Sequence, residues 1–218
     1  MVFNLDPATL IARVLVLIVA FTIHEFAHAW SATQFGDDTP RLNGRLTLNP
    51  LAHLDPVGSM VLLLAGFGWA KPVPVNPYIL QRRSPSAYMW VALAGPLSNL
   101  MLAILAALLF RFEFASIYEA FTPSSGIFPN FSRIVIEFVS INLILMVFNL
   151  IPLAPLDGEK VLSYLAPPGL SGMLDIIRPY GPLILITLVF VGPMIGFDIF
   201  GWIIGTAVNT LTVFLVGL

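Results

Sequence analysis

Four stretches of this chain carry no Asp, Glu, Lys or Arg: residues 84–110, 138–156, 179–197 and 199–218. Each is near or above the ~18–20 residues that an apolar helix needs to cross hydrocarbon. Residues 9–34 form a fifth candidate, interrupted by Arg13 and by a His-Glu-His cluster. Together they predict an all-α polytopic membrane protein with about five transmembrane helices. Composition agrees, with 58% hydrophobic and 10% charged residues, against about 25% charged in soluble domains. The net charge of −2 offers nothing for nucleic acid to bind, and the absence of cysteine excludes disulfides and thiolate metal sites.

The spans are expected at about 9–34, 86–110, 131–150, 180–196 and 199–217, as one membrane-embedded domain over 1–218. Its core covers about 9–165, and C-terminal helices cover about 179–217. Pro7 and Ala8 sit where a helix start tolerates proline. Ala27-His28-Ala29 fits a small-x-small cleavage pattern, but Asp6 and the lack of a basic residue before Arg13 argue against a signal peptide. Gly36–Pro56 is rich in turn formers and reads as a structured loop. The apolar run 57–70 numbers only 14 residues and contains Gly58, Gly66 and Gly68. It is too short to span, so it is expected to be a re-entrant or β-hairpin-like segment. Arg41, Arg45, Lys71, Arg82 and Arg83 fall in 36–85, whereas 111–133 holds Arg111 and Arg133 alone. The positive-inside bias then puts 36–85 and 151–178 in the cytoplasm.

The first span contains FTIHEFAHAWSA, residues 21–32. Residues four apart on a helix share a face, so His24 and His28 can bind one metal ion while Glu25 stands beside it. This is the H-E-x-x-H arrangement of zinc proteases, in which the glutamate acts as general base. Imidazole suits zinc, and an open coordination position lowers the pKa of a water to about 7. Ionisable groups within a membrane span usually mark function. A catalytic zinc takes three protein ligands, and Gln34 stands where the extended pattern has a third histidine. Asp157, in NLIPLAPLDG at the inner end of the third span, is the best candidate. Pro152, Pro155 and Gly158 break helical bonding around it, which is tolerated where backbone lines a cavity. Asp157 reaches His24 and His28 if the first and third spans run parallel, which again requires that 57–70 does not cross.

HEFAHAW, AGPLSNL and NLIPLAPLDG, in this order, resemble the site-2 protease family of intramembrane zinc metalloproteases. GRLTLNPLAHLDPVG and GFGWAKPVPVN resemble its compact prokaryotic members, and the likeness covers about residues 15–165. It implies one zinc ion per chain on His24, His28 and Asp157, with Glu25 as general base. It also implies that Asn99 lies near the active site as a donor to the substrate carbonyl or oxyanion, and that Asn149 holds the Asp157 segment. The substrates implied are single-span membrane proteins, cut within or near their transmembrane segments. The location implied is a prokaryotic cytoplasmic membrane, with the active site toward the cytoplasm. Many bacterial members carry a PDZ domain after the second core span, where this chain has only about 111–130.

A helical substrate must unwind before its peptide bonds can be attacked. Pro72 and Pro74 would blunt one edge of an extended segment, and Val73 and Val75 would offer amides on the other, where a substrate could pair by strand addition. His53 is read as a loop residue of NPLAHLDP. The competing functions are a membrane metal transporter and a scaffold that binds membrane helices without cutting them.

Overall fold

The computed structural model describes residues 6–65, 68–122 and 126–217. Five helical stretches are long and apolar enough to cross a membrane: Pro7–Gln34, Ala87–Arg111, Phe131–Asn149, Gly169–Met194 and Ile199–Val216. The molecule is an all-α polytopic membrane protein.

Helix α1 (Pro7–Gln34) begins at Asp6, whose carboxylate accepts from the Thr9 amide and hydroxyl. Short helices follow at α2 (Thr39–Leu42), α3 (Pro56–Ala65) and α4 (Pro77–Arg83). The core continues with α5 (Ala87–Arg111), α6 (Ile117–Phe121), α7 (Phe131–Asn149) and α8 (Asp157–Leu165). The fourth apolar stretch is irregular. It comprises α9 (Pro168–Ile177), a 3-10 turn, α10 (Gly181–Ile186), a π-helical stretch at Thr187–Val191, and α11 (Gly192–Met194). Gly196 then adopts a left-handed φ of 80°, and α12 (Ile199–Val216) starts on an Asp198 cap.

Helices α1, α5 and α7 pack against one another as the central trio, and α12 packs against α5 and α7. Small residues dominate the closest approaches: Ala8, Ala12, Ala20, Ala103 and Ala107 are at most 1% exposed. Lipid offers no hydrophobic drive between helices, so close backbone approach supplies the packing. Polar ties fix the direction of the trio. Arg13 of α1 pairs with Glu137 of α7 at 2.9 Å, and Arg133 of α7 pairs with Asp6 at 3.3 Å. Both pairs join residues near the starts of the two helices, so α1 and α7 run parallel.

The segment between α1 and α5 leaves and returns to one place. Leu54 and Ala70 form an isolated antiparallel bridge, and the Lys71 amide donates to the His53 carbonyl at 2.7 Å. Helix α3 has 10 residues, about 15 Å of helix, half of what a bilayer crossing needs. A Cβ on Gly58 would lie 2.2 Å from the Trp69 carbonyl, so only glycine lets the outgoing and returning arms meet there. The expected hairpin-like pairing is thus reduced to one bridge, and no strand occurs among the described residues. Gly66 lies outside them. The fourth apolar stretch is also longer than expected, starting near 169 rather than 180.

Candidate active site

His24 and His28 lie in the C-terminal half of α1, and Asp157 is the first residue of α8, just beyond the C-terminal end of α7. The parallel course of α1 and α7 brings them together. His24 Nε2 and His28 Nε2 are 3.0 Å apart, and Asp157 Oδ2 lies 3.3 and 3.2 Å from them. The ligand atoms of the three residues fall within one metal-sized cluster.

Hydrogen bonds behind the rings fix Nδ1 of each histidine as the donor that points away from the cluster. The Phe138 carbonyl accepts from Asn142 Nδ2, so Asn142 Oδ1 accepts from Asn99 Nδ2 at 2.8 Å. Asn99 Nδ2 also faces the Ala20 carbonyl at 3.5 Å. This turns Asn99 Oδ1 toward His24 Nδ1 at 2.6 Å, where only an N–H on the ring completes the bond. His28 Nδ1 donates to the Val91 carbonyl at 2.7 Å by the same logic. In neutral imidazoles oriented this way, both Nε2 atoms turn their lone pairs toward the same carboxylate oxygen. Three such acceptors facing one another suit a cation. Ligands about 2.0–2.1 Å from a tetrahedral zinc stand about 3.3 Å apart, close to the spacing observed. The residues fit zinc.

Glycine sets two approaches to this centre. A Cβ on Gly95 would lie 2.4 Å from His28 Nε2 and 2.6 Å from His24 Nε2, so α5 presses its bare backbone onto the imidazoles. A Cβ on Gly158 would lie 2.2 Å from the Leu150 carbonyl, so the Asp157 turn packs directly on the end of α7.

Glu25 is buried beside the histidines and accepts the Val73 amide on Oε2 at 3.2 Å. Segment 71–76 is neither helix nor strand and is tied down at several points. Arg45 donates to the carbonyls of Ala52 and Lys71, and Asp37 accepts the Asn76 amide at 2.6 Å. Arg45 is 4% exposed. Burial pulls its guanidinium below the ordinary arginine value, and the Glu25 charge opposes that shift.

A cavity of about 610 Å³ opens over these groups. Phe21, Val73, Val75 and Tyr88 line one side, and Leu185 and Val189 of the fourth span line another. Glu25, both histidines, Asn149 and Asp157 face into it. A second cavity of about 820 Å³ adjoins the first and shares Tyr88, Pro155, Lys160 and Pro182 with it.

Three expectations from sequence need correction. Asn99 is fully buried and lines neither cavity, and its amide hydrogens face Asn142 and Ala20. It orients His24 and has no donor left for a substrate carbonyl. Asn149 does not tie down the Asp157 segment. Its Nδ2 donates to the Leu145 carbonyl of its own helix at 3.0 Å, and the side chain borders the cavity. Finally, the Val73 amide is occupied by Glu25, so it is not an open strand edge. The Val75 amide has no hydrogen-bond partner among the described residues. His53 is fully buried in its loop, with Nε2 on the Thr47 carbonyl at 2.8 Å, and stands outside the cluster. Sequence reasoning attached no role to Gly95 or Lys160, since both act through neighbours that only the fold supplies.

Comparison with known proteins agrees with this chemistry. The model of peptidase family M50 matches residues 12–168. YwhC of Bacillus subtilis is 42% identical over 181 residues, covering 83% of this chain and 80% of the relative. Rip2 of Mycolicibacterium smegmatis is 32% identical over 178 residues, covering 78% of this chain and 63% of the relative. Rip2 of Mycobacterium tuberculosis is 28% identical over 195 residues, covering 86% and 68%. Each carries zinc metalloprotease in its name. No solved structure matches significantly. A zinc-fitting donor set on apolar helices and a family model that spans most of the chain lead to one conclusion: this protein belongs to peptidase family M50 and is a zinc metalloprotease.

Proposed function

We propose that this metalloprotease hydrolyses peptide bonds within or near the transmembrane segments of single-span membrane proteins, at a site reached from the cytoplasmic side. The observation that carries the reading is the place of the donor set. Its two histidines sit on a membrane-length helix, and the whole set lies at the wall of a largely apolar cavity of about 610 Å³. Such a wall suits an apolar substrate segment, and the adjoining second cavity gives a more polar route for water and for an unwound chain.

His24, His28 and Asp157 would hold the zinc. When bound, zinc supplies a Lewis acid for the scissile carbonyl and eases ionisation of a water. Glu25 takes a proton from the water as its oxygen adds to the carbonyl carbon. The Val73 amide holds Oε2 of Glu25, which leaves Oε1 to carry the proton. Glu25 then returns that proton to the peptide nitrogen as the C–N bond breaks. One fragment keeps a new carboxyl group and the other a new amine. Asn149, whose side chain borders the cavity, would donate its second N–H to the carbonyl oxygen as negative charge develops there. Asn99 and the Val91 carbonyl keep both imidazoles in the tautomer that presents Nε2.

Glu25→Gln is expected to keep one zinc per chain and to lower cleavage of a single-span substrate by about 10²–10⁴-fold. Metal analysis and cleavage of a substrate panel by purified wild type and variant check this. Wild-type rates in Glu25→Gln would overturn the base assignment. Cleavage confined to soluble peptides would overturn the intramembrane reading.

A further inference from the structure

Lys160 lies one turn into α8, on the same side as Asp157. Its Nζ is 3.4 Å from Asp157 Oδ1, 3.0 Å from the Pro155 carbonyl and 3.3 Å from the Leu156 carbonyl. An ammonium has three N–H donors and no acceptor, so this tripod uses all of them. The side chain is 23% exposed and borders both cavities. The oxygen that Lys160 engages is not the one that faces the histidines, which is Oδ2.

We propose that Lys160 is a positioning residue of the metal centre, which holds Oδ1 of Asp157 aside so that the carboxylate offers the ion one oxygen. The inference rests on Asp157 being a ligand. A carboxylate with both oxygens free can close on a metal through two of them. The second oxygen would then fill the position that a catalytic zinc keeps open for water. The same ammonium ties down the carbonyls of Pro155 and Leu156, immediately before α8. The bend that aims Asp157 and the carboxylate itself thus share one anchor. No other described cation is placed to replace it. Arg178 is engaged by Glu159 at 2.7 Å and Asp175 at 3.1 Å, and Arg45 holds Ala52 and Lys71 on the other wall.

The test uses the full chain purified in detergent, as wild type, Lys160→Met, Lys160→Gln and Asp157→Ala. Zinc affinity is read by chelator competition, and coordination by the visible absorption of the cobalt-substituted protein. Lys160→Met is expected to weaken zinc binding about 10–100-fold, as loss of partners behind a ligand does. It should also weaken the cobalt bands, as the site moves from four to five ligands. Lys160→Gln keeps a donor for the two carbonyls but loses the charge, and is expected to change the cobalt spectrum in the same direction. Wild-type zinc affinity and an unchanged cobalt spectrum in both Lys160 variants would overturn the proposal. If Asp157→Ala binds zinc like wild type, the ligand assignment fails instead. If Asp157→Ala loses zinc and the Lys160 variants do not, the role of Lys160 alone is lost.

Discussion

His24, Glu25 and His28 were legible as single residues because metal chemistry dictates their spacing. Two imidazoles one turn apart on an apolar helix have few other uses, and an incomplete donor set sends the reader to a carboxylate beside broken helix. Asn99 was legible as a polar residue near the site and not as what it does. An amide can donate or accept, and its direction here is set by the carbonyls of Phe138 and Ala20, which come from two other helices. Asn99→Leu removes the acceptor for His24 Nδ1 while keeping the branched shape, and should weaken zinc binding about 10–100-fold in a chelator competition. Unchanged affinity would mean that His24 needs no partner. Gly95 carries a similar message. With a Cβ meeting two ring nitrogens at 2.4 and 2.6 Å, Gly95→Val should abolish zinc binding while the chain still extracts as a folded helical protein, as read by metal analysis and circular dichroism.

At the scale of elements, the first three spans fall within about two residues of their expected ends. Lengths of uncharged sequence mark where lipid begins and stops. The fourth did not, because the uncharged run begins only at Pro179, after Asp175 and Arg178, yet the apolar helical stretch starts at Gly169 and continues through 3-10, α and π turns. That run contributes a cavity wall, a part that sequence reasoning left without a role. Segment 71–76 also departs from expectation. Prolines at 72 and 74 do remove amides from one edge, but Glu25 takes one of those remaining on the other. The Val75 amide is the one left for a substrate strand, as no partner holds it among the described residues. Val75→Pro should therefore lower cleavage at least about tenfold with zinc content unchanged, since strand addition draws its affinity from main-chain bonds. Wild-type cleavage would remove strand addition from the mechanism. Val73→Pro is the poorer test, because it also frees Glu25.

For the whole molecule, the decisive feature is that α1 and α7 run parallel with α5 between them. Parity of crossings made this legible: 57–70 is too short to span, so the inner ends of the first and third spans fall on one side. Ion pairs at the opposite ends, Arg13–Glu137 and Asp6–Arg133, lock the same arrangement. The basic loops lead us to expect the 36–85 side in the cytoplasm, and this can be measured. The chain has no cysteine, and Tyr78 and Tyr118 are 79% and 82% exposed at opposite ends. Tyr78→Cys should react with an impermeant thiol reagent from the cytoplasmic face, and Tyr118→Cys from the other face. The reverse pattern would invert the orientation.

The most direct measurement of the central claim is the zinc K-edge X-ray absorption of the purified protein. Four light-atom ligands at about 2.0–2.1 Å, with the multiple scattering of two imidazoles, are predicted. A signal from three imidazoles, which would bring in His53, or a zinc surrounded by water alone would contradict the convergence of His24, His28 and Asp157 on one ion.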